Sequence, residues 1–508
     1  MAVIDVEARA ARGTNNNKID RKRFWALVVI AAAQLMIVLD TSVIIVALPS
    51  AQRALHISVA DRQWVLSAYT LVFGTLLLLG RRLADYLGRR RMLVIGLLGF
   101  ATASALGGLA QDSAMLFGAR ALQGAFAALM APASLSLLTV TFTEARERAR
   151  AFGVYSAVAG GGVAIGLVLG GTLTDLASWR WTLLINVPIA LVAAVAARRV
   201  LTESRVESSS NYDLRGATLA TAGMFLLVYG FTTAGTDGWG AAGTVALLAG
   251  AAVSLSAFVV TELRATNPIL PLRVILDRQR GGAFLSSFFV GIAMLGTFLF
   301  LTFFLQATEH YSALKTGFAF LPVSVGFIFG AAVASTLLPR FGPRTLMLTG
   351  LMLTTAGLLL FTRLGVTSTF VSSVLPAEIV LSLGLALAFV PMNSTALIGI
   401  RQHDAGVASA LVNATQQVGG SLGIALLNTV ASSAAAGYLA SHARGLGRAA
   451  TQRVLPIATV HGYTRAFEVS TVMVVVAFVL TAALLRRAPR LGAGEVAEFD
   501  GELVSEAA

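Results

Sequence analysis

Fourteen stretches of this chain are apolar over lengths that match a lipid bilayer, at about 24–49, 63–80, 92–111, 114–142, 151–175, 179–200, 214–234, 240–263, 282–307, 313–338, 344–364, 371–399, 406–435 and 466–487. A hydrocarbon core of about 30 Å takes roughly 20 helical residues to cross. Inside it every backbone N–H and C=O needs a partner within the protein, which restricts such segments to helices when no alternating strand pattern is present. The stretches therefore predict an all-α integral membrane protein with fourteen transmembrane helices. The composition agrees: of 508 residues, 56% are hydrophobic and only 12% charged, too apolar for a water-soluble chain of this length.

The net charge of +13 raises the question of nucleic acid, and the placement of the charge answers it. With the N-terminus inside, the short inner loops hold 19 Lys/Arg residues, beginning with Arg81, Arg82 and Arg89–Arg91, against 5 in the short outer loops. That is the positive-inside bias of a membrane protein, so no nucleic-acid partner is expected and both termini are assigned to the cytoplasm. The expected organisation is a cytoplasmic tail at 1–23, six helices over 24–200, a linker at 201–281 carrying two extra helices, and six more helices over 282–487. An outer loop is expected at 437–465 and a second cytoplasmic tail at 488–508. Six plus two plus six suggests a duplicated half. Tyr86-Leu87-Gly88-Arg89-Arg90 after the second helix is echoed by Arg340-Phe341-Gly342-Pro343-Arg344 after the second helix of the last six. Transporters are commonly built from such repeats, with the substrate site between them.

Several chemistries are excluded. There are no cysteines, the five histidines are scattered, and no metal-ligand spacing occurs, so neither a metal nor another cofactor is expected. Only three residues are lysines, none in a phosphate-binding Gly-Lys-Ser/Thr loop, so the chain carries no ATPase of its own. No depth within the spans collects the residues of a hydrolytic enzyme.

The charges that do enter the spans stand out. Asp40 lies roughly 24 Å along the helix from Phe24, still within the hydrocarbon. An ionisable residue there costs about 2.5 kcal/mol or more and usually marks a polar pathway. Arg120 is the one Lys/Arg placed well inside a span. With Gln123 it lies roughly 9 to 14 Å in from the outer side, and Tyr69 lies at a similar depth, so these groups can face one another. A buried structural ion pair is one reading; a proton site, in which a carboxylate and a guanidinium part and rejoin, is the other. Asp85 and Gly88, set among Arg89 and Arg90, exceed what a simple basic anchor needs and suggest a gate latch around a tight turn. Gly162, Gly166, Gly170 and Gly171 make the fifth helix dense in glycine, a pattern for close packing or bending. Glu378, just after Pro376, is either a first-turn carboxylate at a helix N-terminus or a second proton site. Gln306, Asn393, Asn413 and Gln417, with Tyr69, Gln123 and Asn186, are candidates for lining a substrate cavity.

Taken together these stretches resemble the major facilitator superfamily, and within it the fourteen-span drug:proton antiporters. The resemblance rests on Asp40-Thr41 through Ala47-Leu48-Pro49, on Gln63-Trp64-Val65 through Tyr69, on the Leu83-Ala84-Asp85 to Arg91 loop, on Arg120 with Gln123-Gly124, and on the glycines of the fifth span. Ser178-Trp179-Arg180-Trp181 through Asn186-Val187-Pro188 follows, and later Phe304-Leu305-Gln306 and Gln417-Val418-Gly419-Gly420. Ile45 stands where that family usually has Asn, and Leu167 where it usually has Pro. The resemblance implies proton coupling through Asp40 and Arg120, an inner gate in which the Asp85 loop docks on the helix starting near Gly406, and antiport enabled by the fifth-span glycines. The expected protein is thus a monomeric, proton-coupled exporter of amphipathic drugs or antibiotics in a bacterial cytoplasmic membrane, with protons and lipid as its other partners. The alternatives are a dedicated exporter of one endogenous metabolite, such as a self-made antibiotic or siderophore, and a non-transporting membrane sensor.

Overall fold

The computed structural model describes residues 2–59, 61–205, 214–265, 268, 270, 272–397, 405–443 and 448–486. All its regular structure is helical. The first six-helix set comprises α1 (Ala2–Ala54), α2 (Trp64–Leu87), α3 (Arg89–Gly108), α4 (Ser113–Thr141), α5 (Ala145–Leu176), and a sixth run divided at Ile185 into α6 (Trp181–Leu184) and α7 (Asn186–Val200). The inserted pair is α8 (Leu214–Asp237) and α9 (Ala242–Arg264), followed by the short α10 (Leu272–Ile275). The last set comprises α11 (Arg278–Phe303) running into a π-helical turn (Phe304–Thr308), α12 (Ala313–Ala319), α13 (Leu321–Phe361), a second π-helical turn (Phe370–Val374) running into α14 (Leu375–Leu397), α15 (Ala405–His442) and α16 (Arg448–Leu484).

Among the described residues, eleven helical stretches are long and apolar enough to cross a membrane, and twelve if the bent pair Trp64–Leu77 and Leu79–Leu87 is one span. Two segments account for the distance from the expected fourteen. Ala313–Phe361 counts once although Gly342 interrupts it, and α5, uncharged from Ala151 to Thr174, enters only by its described stretch Gly161–Leu176. Gly342 has φ 72° between Pro339 and Pro343, and Gly88, between α2 and α3, has φ 107°. Both halves thus turn from their second to their third helix on a glycine in the left-handed region, which side chains with a Cβ rarely adopt.

Two expectations change. The stretch 437–465, expected as an outer loop, is mostly helical because α15 continues to His442 and α16 starts at Arg448. Hydropathy marks where a helix leaves the lipid, not where it ends, and nothing from Gly437 to His442 breaks it. The extensions touch through Tyr438, whose ring stacks on His442 at 4.0 Å and approaches His461 at 5.0 Å. The segment before residue 24, expected as a tail, is part of α1.

Within the first half α1 packs on α5, and α4 on α2 and α3; within the second, α13 packs on α14, and α11 on α15 and α16. The halves meet where α2 faces α15 and α5 faces α12, and α8 lies against both α2 and α15. The outward faces carry exposed Val253, Leu263, Val192 and Val371, as lipid-facing helices do.

Cross-half hydrogen bonds gather at the end holding residues 55–63 and 309–312, the end that the arginine count leads one to expect outside. Arg62 Nε donates to Asn428 Oδ1 at 3.3 Å, Asn428 Nδ2 to the Val59 carbonyl at 3.3 Å, and Gln306 Nε2 to the Val46 carbonyl at 2.9 Å. Asp175, at the end of α5, accepts from the Ala313 and Leu314 amides at 3.1 and 2.9 Å and so caps α12 from the opposite half.

Candidate functional site

Asp40, Arg120, Gln123, Asn186, Ser104 and Tyr69 are each no more than 1% exposed. Asp112 caps α4 by accepting from the Met115 amide at 2.8 Å, which sets the register of that helix. Arg120 and Gln123, three residues apart, then share a face. Arg120 Nη1 pairs with Asp40 Oδ2 and donates to Gln123 Oε1 at 3.0 Å, while its Nε donates to the Val65 carbonyl at 2.9 Å. Gln123 Nε2 donates to Asp40 Oδ1 at 2.8 Å and to Ser104 Oγ at 3.0 Å. Asn186, the first residue of α7, donates from Nδ2 to Asp40 Oδ1 at 3.0 Å and to Ser104 Oγ at 3.2 Å. Ser104 donates in turn to the Leu183 carbonyl at 2.7 Å. The Arg120 guanidinium lies 4.5 Å over the Tyr69 ring, a cation–π contact.

One carboxylate is thus met by a guanidinium and two amides drawn from α4 and α7, with all charge out of water. Losing either charge of such a pair strands the other, at a cost of about 3–5 kcal/mol. The Asp40 carboxylate thus ties α1 to α4 and α7. Gln123 and Asn186, expected to line a cavity, are placed as direct partners of Asp40, and Tyr69 as the platform beneath Arg120. Ser104 was not anticipated; a lone serine in an apolar span gives little signal.

The four expected glycines split between two contacts. A Cβ on Gly162 would lie 3.1 Å from Leu35 and Val38, one on Gly166 would collide with the Ser42 hydroxyl, and one on Gly170 would lie 2.7 Å from the Val43 carbonyl. These three let α5 seat directly on α1 around Asp40. Gly171 faces the other half, where a Cβ would lie 2.5 Å from the Ala313 carbonyl of the 313–319 helix.

At the opposite end, Asp85 bridges the α2–α3 turn. It accepts from Arg89 Nη2 at 3.0 Å and Nε at 3.2 Å, with Arg81 Nε at 3.8 Å. Arg90 is held instead by Glu203, which accepts its backbone amide at 3.1 Å. The expected docking of this loop on the helix starting near Gly406 involves side chains at 401–407 that lie outside those described.

A model of the Major Facilitator Superfamily matches residues 30–424. The chain belongs to that superfamily. The facilitator is a transporter, not an enzyme, set in the bilayer by many apolar helices and carrying small molecules. It is 46% identical over 503 residues to the puromycin resistance protein pur8 of Streptomyces alboniger, covering 98% of each chain. It is 40% identical to the cephamycin export protein CmcT of Amycolatopsis lactamdurans, covering 85% of this chain and 91% of that one. With the lincomycin resistance protein of Streptomyces lincolnensis it shares 34% identity, covering 82% and 86%. Among solved structures it superposes on a bacterial homologue of the human lysosomal transporter Spinster with a TM-score of 0.64, 17% identity, and 92% and 99% coverage. An auto-inhibited POT-family peptide transporter gives 0.64, 19%, and 93% and 98%. At these identities the two structures speak to the fold alone.

The facilitator's remaining candidate residues are not gathered into one cavity. Gln306 ties the π-helical turn after α11 to α1 and lines a pocket of about 440 Å³ with Pro49, Gln52, Arg53 and His56. Asn393 donates to the Phe389 carbonyl of its own helix at 2.9 Å. Asn413 is exposed, and Gln417 lies where α15 crosses α2 beside Gly74. Glu378 is fully buried, and neither carboxyl oxygen has a hydrogen-bond partner among the described residues. Glu378 stands in the first turn of α14, directly after the π-helical turn from Phe370, yet neither of its oxygens accepts from a backbone amide of the described residues. Arg62, one of the five Lys/Arg counted in the short outer loops, is only 5% exposed and sits 4.0 Å over the Phe303 ring of the other half.

Proposed function

We propose that the protein exports amphipathic antibiotics across a bacterial cytoplasmic membrane in exchange for protons, working as a monomer by alternating access. The observation that carries the reading is the Asp40–Arg120 pair, wholly buried and bound by neutral amides at a helix junction. Protonation of Asp40 removes the charge that Arg120, Gln123 and Asn186 converge on, and loosens α1 against α4 and α7. Deprotonation rebuilds the cluster. The two states of the proton site thereby bias two arrangements of the helices, which is what coupling requires. Glu378 is the second protonatable site in this reading, because an ionised carboxylate without partners is far costlier to bury than a neutral carboxyl group.

The reading counts fourteen spans, taking α5 as one and the two parts of α13 on either side of Gly342 as two, with both termini cytoplasmic. The Asp85 loop is its inner gate. Asp175, Arg62 and Gln306 are its outer ties, and the α5 glycines let α1 and α12 approach closely enough to seal that end.

A dedicated exporter of one self-made antibiotic is the second reading. It is favoured by relatives that are each named for a single compound: puromycin, cephamycin or lincomycin. A susceptible host expressing the chain separates the two when challenged with those three compounds and unrelated organic cations. Protection against several supports the broad reading, and protection against one supports the dedicated reading. Unchanged protection after collapse of the proton gradient would overturn proton exchange in both.

A further inference from the structure

Arg62, from the connector between α1 and α2 of the first half, carries its charge into the second half. Its guanidinium lies 4.0 Å over the Phe303 ring and 5.9 Å from the Phe300 ring. Its Nε donates to Asn428 Oδ1 at 3.3 Å. Tyr463 packs on Phe300 at 5.6 Å and turns its hydroxyl to the same guanidinium. Phe300 and Phe303, three residues apart, share a face of α11, against which α15 brings Asn428 and α16 brings Tyr463. All five residues are buried, yet no carboxylate pairs with Arg62 among the described residues. Asp61, its chain neighbour, is taken up by the Ser58 hydroxyl at 2.7 Å.

A buried charge is ordinarily paired with an opposite one. Here a cation is met by ring faces and neutral oxygens instead, the setting that recognises organic ammonium groups. Only the bond from Nε to Asn428 asks for an N–H, and a protonated amine can supply one as well as arginine can. Because Arg62 comes from one half and the box around it from the other, parting of the halves at this end empties the box. We propose that Phe300, Phe303, Asn428 and Tyr463 form a subsite for the positively charged amine of an exported molecule, with Arg62 as the built-in cation that occupies it when this end is closed. Return of Arg62 displaces the amine, so closure of the seam and expulsion of the charged group are one event. The pocket that Phe303 also lines carries Arg53 and His56; exchange of one monocation for another leaves the balance of the box with those groups unchanged. The proposal rests on the alternating-access reading for the parting of the halves, while the chemistry of the box stands apart from it.

The test uses the full chain in maltoside detergent, with choline as the probe and 3,3-dimethylbutan-1-ol, its uncharged isostere, as the control. Arg62→Ala leaves the box vacant, and calorimetric titration is expected to show choline binding roughly five- to thirtyfold tighter than in the wild type, the scale of one desolvated cation–π contact. The alcohol is expected to gain nothing. Phe303→Leu added to Arg62→Ala keeps apolar bulk, removes the ring face and is expected to abolish the gain. Equal choline binding with and without Arg62, an equal gain for the alcohol, or a gain that survives loss of the ring overturns the box. A second measurement leaves Arg62 in place. The chain has no cysteine, so a thiol introduced as Ser421→Cys is its only one, and Ser421 is buried at the seam with its hydroxyl 3.4 Å from the Ser67 carbonyl. Choline that keeps Arg62 out of the box is expected to raise labelling of that thiol by a membrane-impermeant maleimide in intact cells several-fold, and the alcohol to leave it as it was. Unchanged labelling with choline overturns the box. These readings need neither flux nor a proton gradient. The expected pattern together with export indifferent to that gradient counts against the transport reading alone, and export intact without the pattern counts against the box alone.

Discussion

Arg120 makes two connections at once, through Nη1 to Asp40 and through Nε to the Val65 carbonyl, and a lysine has one head group for both. Arg120→Lys is therefore expected to retain charge but lose transport, visible as lost export at normal expression. Asp40→Asn strands the guanidinium and should destabilise the protein by about 3–5 kcal/mol. The double variant Asp40→Asn/Arg120→Gln removes both charges and should regain part of that stability in thermal unfolding without regaining proton coupling. If the double variant still exported against a gradient, the pair would be a structural tie only. The pair was legible because charges in apolar spans are rare. Of its amide partners, Gln123 was legible by depth but not by direction, since counting residues along a helix gives height, while facing depends on neighbours; Asn186 was read only as a cavity candidate. Glu203 had no local signal, being one acidic residue in a polar connector that only the fold brings to Arg90.

At the scale of elements, α5 shows how a glycine pattern resolves into separate contacts. A Cβ on Gly170 meets the Val43 carbonyl at 2.7 Å, whereas one on Gly161 meets nothing within 4 Å. Gly170→Val is expected to cost about 1–3 kcal/mol or prevent folding, and Gly161→Ala to be neutral or stabilising by about 0.5–1 kcal/mol, both by thermal unfolding in detergent. Equal losses at the two positions would mean that α5 does not seat on α1 as described. The sequence pattern indicated close packing but not which helix each glycine meets. The α15 and α16 extensions were missed because apolar length measures the membrane, and a polar helix continuing past it looks like a loop.

For the whole molecule, the helical membrane class followed from apolar lengths and composition. The seam did not, because side chains that hold the halves together, Arg62 with Asn428 and Asp175 with the 313–319 helix, lie far apart in sequence and look like ordinary loop or helix-end residues. Arg62, which leaves water for the Phe303 face and the Asn428 amide, is expected to matter to outer closure. Arg62→Ala should raise maleimide labelling of Ser421→Cys from outside several-fold, and unchanged labelling would remove it from the outer ties.

The central claim is that a proton moves through the Asp40 cluster when substrate moves. The direct measurement is proton flux, read with a trapped pH-sensitive dye, when puromycin is added to proteoliposomes of the wild-type chain and of Asp40→Asn. The account predicts a substrate-dependent proton movement in the wild type that is abolished in the variant. Proton movement retained in full by Asp40→Asn, or puromycin transport with no proton movement in the wild type, would contradict it.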